Sequence, residues 1–224
     1  MSTARLLAAA ILAGSFAAAC EPQPEISTVA PKGDQIARMD DAPMAVTEVS
    51  LTGSTNIPVT GFDSVELRGG GHVTLRYGKS DRVTLLAGST RYTQFHLEQG
   101  HNLVIDACNS DCPSQYHLEI EIVTPHLAAV AIDGGGHIDS AAGFPAQGAI
   151  AAAVNGGGHI DLRSIAAANG TAAVSGGGRI RIRADQHLTA AVNGGGSIGY
   201  TGAGDVTTAI NGGGSVRRDD GGRG

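Results

Sequence analysis

Five glycine triplets, each with an aliphatic residue two positions out on both sides, recur through the C-terminal half of this chain. They are Ile132-Asp133-Gly134-Gly135-Gly136-His137-Ile138, Val154-Asn155-Gly156-Gly157-Gly158-His159-Ile160, Val174-Ser175-Gly176-Gly177-Gly178-Arg179-Ile180, Val192-Asn193-Gly194-Gly195-Gly196-Ser197-Ile198 and Ile210-Asn211-Gly212-Gly213-Gly214-Ser215-Val216. Their first glycines lie 22, 20, 18 and 18 residues apart. Short alternating segments joined by glycine turns at a near-constant period, with no helical pattern between them, predict an all-β chain coiled into stacked rungs.

Side chains alternate faces along a strand, so parity gives the register. Even positions read as inward. Ile150, Ala152, Val154, Ile160 and Leu162 are followed by Ala172, Val174, Ile180 and Ile182, then by Leu188, Ala190, Val192 and Ile198, and finally by Val206, Thr208, Ile210 and Val216. Because every repeat spacing is even, these residues stack into two internal columns, and a one-residue insertion would turn both inside out. A right-handed parallel β-helix is expected. A left-handed hexapeptide helix is the alternative, since aliphatic pairs sit six apart across each triplet, but the weak third corner at Gln186 and Gly204 argues against it.

The 34 glycines and 4% aromatic content exclude a conventional thick core, whereas stacked rungs bury only a thin aliphatic column. Residues 1–19 read as a secretory signal peptide: Arg5, an apolar run from Leu6 to Ala19 and a small-residue exit at Ala17-Ala18-Ala19. Without that segment 14 basic residues face 21 acidic ones, a net charge of −7 that makes nucleic acid a poor partner. Cys20 follows directly and resembles the lipid-bearing cysteine of a bacterial lipobox, although Ala17 stands where leucine is usual and plain cleavage would cut the same bond. Three cysteines in an oxidising compartment leave one over unless Cys20 carries lipid, and Cys108 and Cys112 then pair across a local hairpin. Two free thiols or a metal pair are the alternatives for them.

Residues 20–57 carry Pro22, Pro24, Pro31 and Pro43 without sustained periodicity and read as a lipidated cysteine and flexible tether. Residues 58–216 form the expected head and 217–224 a polar tail. Strand patterns begin at Ser64–Leu67, His72–Leu75, Arg82–Leu85, Leu103–Ile105 and Leu118–Val123. Gly69-Gly70-Gly71 looks like an earlier copy of the repeat, separated from Gly134 by irregular rungs.

The head resembles the head GIN domain, an auto-transporter adhesin family of secreted and lipoprotein chains of bacteria. The resemblance runs from Gly61-Phe62-Asp63-Ser64-Val65-Glu66-Leu67 and His72-Val73-Thr74-Leu75-Arg76-Tyr77-Gly78, through His101-Asn102-Leu103-Val104-Ile105 and Thr124-Pro125-His126-Leu127, into the glycine-rich rungs. It covers about residues 59–216 and implies a right-handed parallel β-helix with no catalytic residue set. Full glycine triplets depart from the family's commoner alternation of serine and glycine. No membrane-barrel pattern follows Gly214, so self-export is not expected.

Outward ladders are where function can show. Asp133, Asn155, Ser175, Asn193 and Asn211 precede the triplets and read as turn chemistry, since Asn and Asp tolerate left-handed backbone. His137, His159, Arg179, Ser197 and Ser215 form the next ladder, with Asp139, Asp161, Arg181, Gly199 and Arg217 two residues on. The repeated His-Ile-Asp puts His137, Asp139, His159 and Asp161 on one face, a candidate transition-metal set that solvated side chains and an Asp161–Arg181 pair explain equally. Arg163, Arg179, Arg181 and Arg183 make one basic patch without a matching acid cluster, suited to carboxylate, sulfate or phosphate groups on a polymer. Ordinary solubilising charge is its plain reading.

Many right-handed β-helices act on acidic polysaccharides, yet this chain lacks a groove of clustered acids, aromatic platforms, a nucleophile elbow and a phosphate loop. The expectation is a non-catalytic, cofactor-free lipoprotein, anchored in the bacterial outer membrane, whose head binds an anionic glycan or envelope polymer. The alternative is a structural role through protein contacts at the solenoid ends.

Overall fold

The computed structural model describes residues 53–202 and 204–219, and no helix occurs among them. The expected signal peptide, Cys20 and most of the tether lie outside the described residues. The early strands are β1 (Thr55–Ile57), β2 (Ser64–Gly69), β3 (His72–Tyr77), β4 (Arg82–Ala87) and β5 (Gln94–Glu98). Next come β6 (Asn102–Asp106), β7 (Glu119–Thr124), β8 (Ala129–Gly134) and β9 (His137–Ser140). Long strands β10 (Gln147–Gly156), β11 (His159–Gly176) and β12 (Arg179–Gly194) lead to β13 (Ser197–Thr201), β14 (Asp205–Asn211) and β15 (Ser215–Arg218).

Parallel pairing stacks these strands into two columns, one on each side of the glycine turn. The first runs β2, β8, β10, the later half of β11, the later half of β12 and β14. The second runs β3, β9, the start of β11, the start of β12, β13 and β15. Ile132, Val154, Val174, Val192 and Ile210 are in register in one, and Ile138, Ile160, Ile180, Ile198 and Val216 in the other. The parity rule holds for every even residue from Ile150 to Ile198 named above, all of them buried. It fails at two places. Pairing skips between Leu162 and Ala166, so the odd residues Ile165 and Ala167 turn inward. On the last rung Ile210 is 48% exposed, because among the described residues no strand covers β14.

The triplet divides its labour. Its first glycine has φ between 113° and 128° in all five repeats, a left-handed conformation that an L side chain rarely adopts. A Cβ on its third glycine would lie 2.3–2.6 Å from a branched side chain of the preceding rung, as Gly178 does against Val154 Cγ1 at 2.4 Å. The middle glycine meets nothing within 4 Å. Left-handed backbone thus belongs to the first glycine and not to the Asp, Asn or Ser before it, which corrects the reason expected for that ladder.

The N-terminal end departs from a wholly parallel coil. β6 pairs with the free side of β2 and β7 with that of β3, so the rung made later in sequence lies beneath the earlier one. The chain then returns to lay β8 and β9 on top, which puts Gly69 in register with Gly134. β4 is antiparallel to β7 and to β1, and β5 is antiparallel to β6, so reversed strands finish both columns. β1 lies within the stretch expected to be tether. The Cys108–Cys112 disulfide is present in the turn after β6, with Cα atoms 5.5 Å apart. Asn109 N donates to Tyr92 O at 3.0 Å, and Thr93 Oγ1 donates to Ala107 O at 2.9 Å, tying that turn to the loop before β5.

Candidate functional site

The outer face of the second column carries two ladders in strict register. His72, His137, His159, Arg179, Ser197 and Ser215 form one. Thr74, Asp139, Asp161, Arg181, Gly199 and Arg217 form the other. One face therefore changes from histidine and carboxylate to arginine, serine and glycine toward the C-terminal end.

The four metal candidates share that face but do not converge on one point. The His137 and His159 rings stack at 5.4 Å between centroids with 5° between planes. Asp139 Oδ2 instead lies 2.9 Å from His72 Nε2. Asp161 is clasped by Arg163, with Nη2 to Oδ2 at 2.6 Å and Nε to Oδ1 at 2.9 Å. Among the described residues no group of three or more His, Cys, Asp or Glu is arranged to hold a metal ion. Burial works to raise the Asp161 carboxyl, but its hydrogen bonds and charge pairing with Arg163 prevail and hold it below its ordinary range. Burial, then the nearby charges of Arg179 and His137, push the His159 imidazole down.

The four arginine candidates separate into two kinds. Arg163 is committed to Asp161, and Arg183 Nε donates to Asp185 Oδ1 at 3.0 Å. These partners correct the expectation that the patch lacks matching acids. Arg179 Nε donates only to the neutral Ser197 Oγ among the hydrogen bonds seen, at 3.2 Å. Arg181 lies between Asp161 at 3.8 Å and Asp219 at 3.7 Å, beyond hydrogen-bond reach of either. With Arg217, Ser197, Ser215 and Gly199 these two line a cleft of about 240 Å³. Arg217 and the serines were not among the binding candidates, though the 18-residue period links Arg181 to Gly199 and to Arg217.

A larger concavity of about 780 Å³ crosses the outer face of the first column. Its floor is Ala131, Ala153, Ala173, Ala191 and Ala209, beside the ladder from Asp133 to Asn211. Asn155 Nδ2 donates to Asp133 Oδ1 of the preceding rung at 3.0 Å, so that ladder ties rungs together. The groove carries no cation, and anion chemistry belongs to the smaller cleft.

Fold and site define an all-β chain of stacked rungs with one cationic cleft on its flank. Residues 146–204 match the model of the family described as "Putative auto-transporter adhesin, head GIN domain". The family resemblance carried by the sequence is borne out over that span, which includes Arg179 and Arg181. Among solved structures the chain is similar to "a putative adhesin" from Bacteroides fragilis NCTC 9343, with 15% identity, TM-score 0.46 and coverage of 74% of this chain and 95% of that one. It is similar also to a "Putative lipid binding protein" from Parabacteroides distasonis ATCC 8503, at 16% identity and TM-score 0.34, covering 74% and 96%. A "putative cell adhesion protein" from Clostridium sporogenes ATCC 15579 shares 8% identity at TM-score 0.34, covering 74% and 98%. No curated protein matches the chain.

Proposed function

We propose that this chain is a non-catalytic, exported lipoprotein of the bacterial envelope whose head binds an anionic glycan or envelope polymer. Cys20 holds it to the outer membrane, residues 20–57 supply the tether, residues 58–216 form the head, whose parallel rungs from β8 onward coil right-handed, and residues 217–224 are a polar tail. The observation that carries the reading is the cleft in which Arg179 and Arg181 stand free of hydrogen-bonded carboxylates on an otherwise acidic protein. Guanidinium forks suit oxyanions carried on a polymer, and rungs about 4.8 Å apart offer such a polymer a regular track. Arg163 and Arg183 flank the track and reach a ligand only by leaving Asp161 and Asp185.

The test is binding of the full-length protein to a panel of acidic and neutral polysaccharides at two salt concentrations. Salt-sensitive binding to acidic polymers, lost in an Arg179→Ala, Arg181→Ala, Arg183→Ala variant, is the expected result. Binding to no polymer, or binding indifferent to the three substitutions, overturns it. A second reading, assembly with another envelope protein at the C-terminal end, is favoured by the exposed Ile210 on the uncovered strand β14.

A further inference from the structure

We infer that the cleft holds a subsite for a tetrahedral oxyanion, a sulfate or phosphate ester, and that the carboxylate of Asp219 occupies this subsite in cis when no ligand is bound. This inference rests on the anionic-polymer reading and makes it specific.

In the ladder that carries Asp139, Asp161, Arg181 and Arg217, Gly199 is the only member without a side chain. It leaves a gap one rung wide between two guanidinium groups, with Arg181 on one side and Arg217 on the other. The gap is not empty. A Cβ built on Gly199 would lie 2.5 Å from Asp219 Oδ2 and 2.8 Å from its Cγ, so the carboxylate rests directly on the glycine. Its backbone is pinned there by Asp219 N donating to Tyr200 O at 2.7 Å. Any larger residue at 199 would push the carboxylate out. The sequence thus places an anion between cations by leaving one side chain off.

That carboxylate fills the position poorly. Asp219 Oδ2 stays 3.7 Å from Arg181 Nε, too far for a hydrogen bond, and among the described residues Arg217 has no ion pair with it. Three guanidinium groups, those of Arg179, Arg181 and Arg217, therefore face one loosely held planar anion. Ser197 and Ser215, one rung apart on the neighbouring ladder, add two hydroxyl donors to the same cleft. A tetrahedral anion presents oxygens in several directions and accepts from both arginine sides and from a hydroxyl at once, which a carboxylate fixed to the backbone does not. Exchange is the consequence: a sulfate or phosphate ester displaces Asp219, which swings out to solvent. The sulfate of a glycan and the phosphate of an envelope polymer are the two sources of that chemistry.

The experiment titrates the full-length protein with three soluble probes of similar length: a dextran sulfate oligomer, inorganic polyphosphate and an oligogalacturonate. Asp219→Asn tests displacement, Arg217→Gln tests the second cation, and Asp205→Asn removes an equal charge from a 93% exposed carboxylate on the first column. Thermal melting of each variant checks that it is folded. We expect Asp219→Asn to tighten binding of the sulfated or the phosphorylated probe roughly three- to fivefold. Arg217→Gln weakens binding of the same probe by a similar factor, and Asp205→Asn leaves it unchanged. The stronger of the sulfated and phosphorylated probes identifies the source. If the parent binds acidic probes and loses them with Arg179, Arg181 and Arg183, yet ignores Asp219→Asn and Arg217→Gln, the subsite is wrong and the broader reading stands. Equal gains on all three probes, or an equal gain with Asp205→Asn, also overturn the subsite. No binding by the parent or by Asp219→Asn overturns both.

Discussion

The C-terminal rungs and the N-terminal end of the head obey different rules. From β10 onward each strand lies on one formed about 18 to 22 residues earlier, and chain order equals spatial order. Before β8 the later pair β6 and β7 slides beneath the earlier pair β2 and β3, and reversed strands finish the columns. The contrast shows what a repeat encodes. A glycine turn specifies the local bend and the next rung's register, but it does not say on which side of the stack the next rung will lie.

One extra residue sharpens the contrast most. Inserted between Ala153 and Val154 it turns Val154 outward relative to Ile150 and Ala152 and breaks the column at that rung, and we expect the protein to lose its cooperative melting transition. The same insertion after Ser114, in the turn outside any strand, leaves a cooperative transition. Glycine substitutions come next. Gly178→Ala drives a Cβ into Val154 Cγ1 and the carbonyl of Gly158, and is expected to cost about 2–3 kcal/mol in chemical denaturation. Gly177→Ala, where a Cβ meets nothing, stays within about 0.5 kcal/mol. If both cost the same, the division of labour within the triplet is wrong.

At the irregular end, replacing Cys108 and Cys112 with alanine removes a small covalent loop, and loss of about 2 kcal/mol is expected. Hydrogen exchange locates that loss: amides of β5 and β6 lose protection while those of β11 and β12 keep theirs. The smallest effect concerns acid. The folded-state pKa of His159 is depressed, so the unfolded chain takes up its proton more readily. Stability is unaffected above the ordinary histidine value of about 6.5 and falls as pH drops from there toward the folded value. His159→Gln removes this dependence. Its melting temperature should match the parent near pH 8 and exceed it by a degree or two near about pH 5. Asp139 faces the same imidazole and works the other way, while Arg181 adds to the depression, so the measured difference reports their sum.

Much of the candidate site was legible in the sequence. The even period put Arg181, Gly199 and Arg217 on one line, and parity put Arg179, Ser197 and Ser215 on its neighbour. The partners of those arginines were not legible. Arg163 sits where pairing skips after Leu162, and its bond to Asp161 follows from that local bulge. Asp219 reaches Gly199 because the β13–β15 ladder runs one residue past Arg218, with Asp219 N donating to Tyr200 O, and its carboxylate turns back over the glycine, a rotamer choice that no repeat announces.

The sequence by itself determined the all-β class, the rung period, the two aliphatic columns and the faces on which charges appear. All of these follow from periodicities of two and of about twenty, which local backbone geometry enforces. Only the tertiary structure decided the reversed strands, the order of the first rungs, the pairing of Arg163 and Arg183, and the seat of Asp219. Those depend on contacts between residues far apart in the chain or beyond the repeat, where the free energy of packing chooses among arrangements that local pattern leaves equivalent.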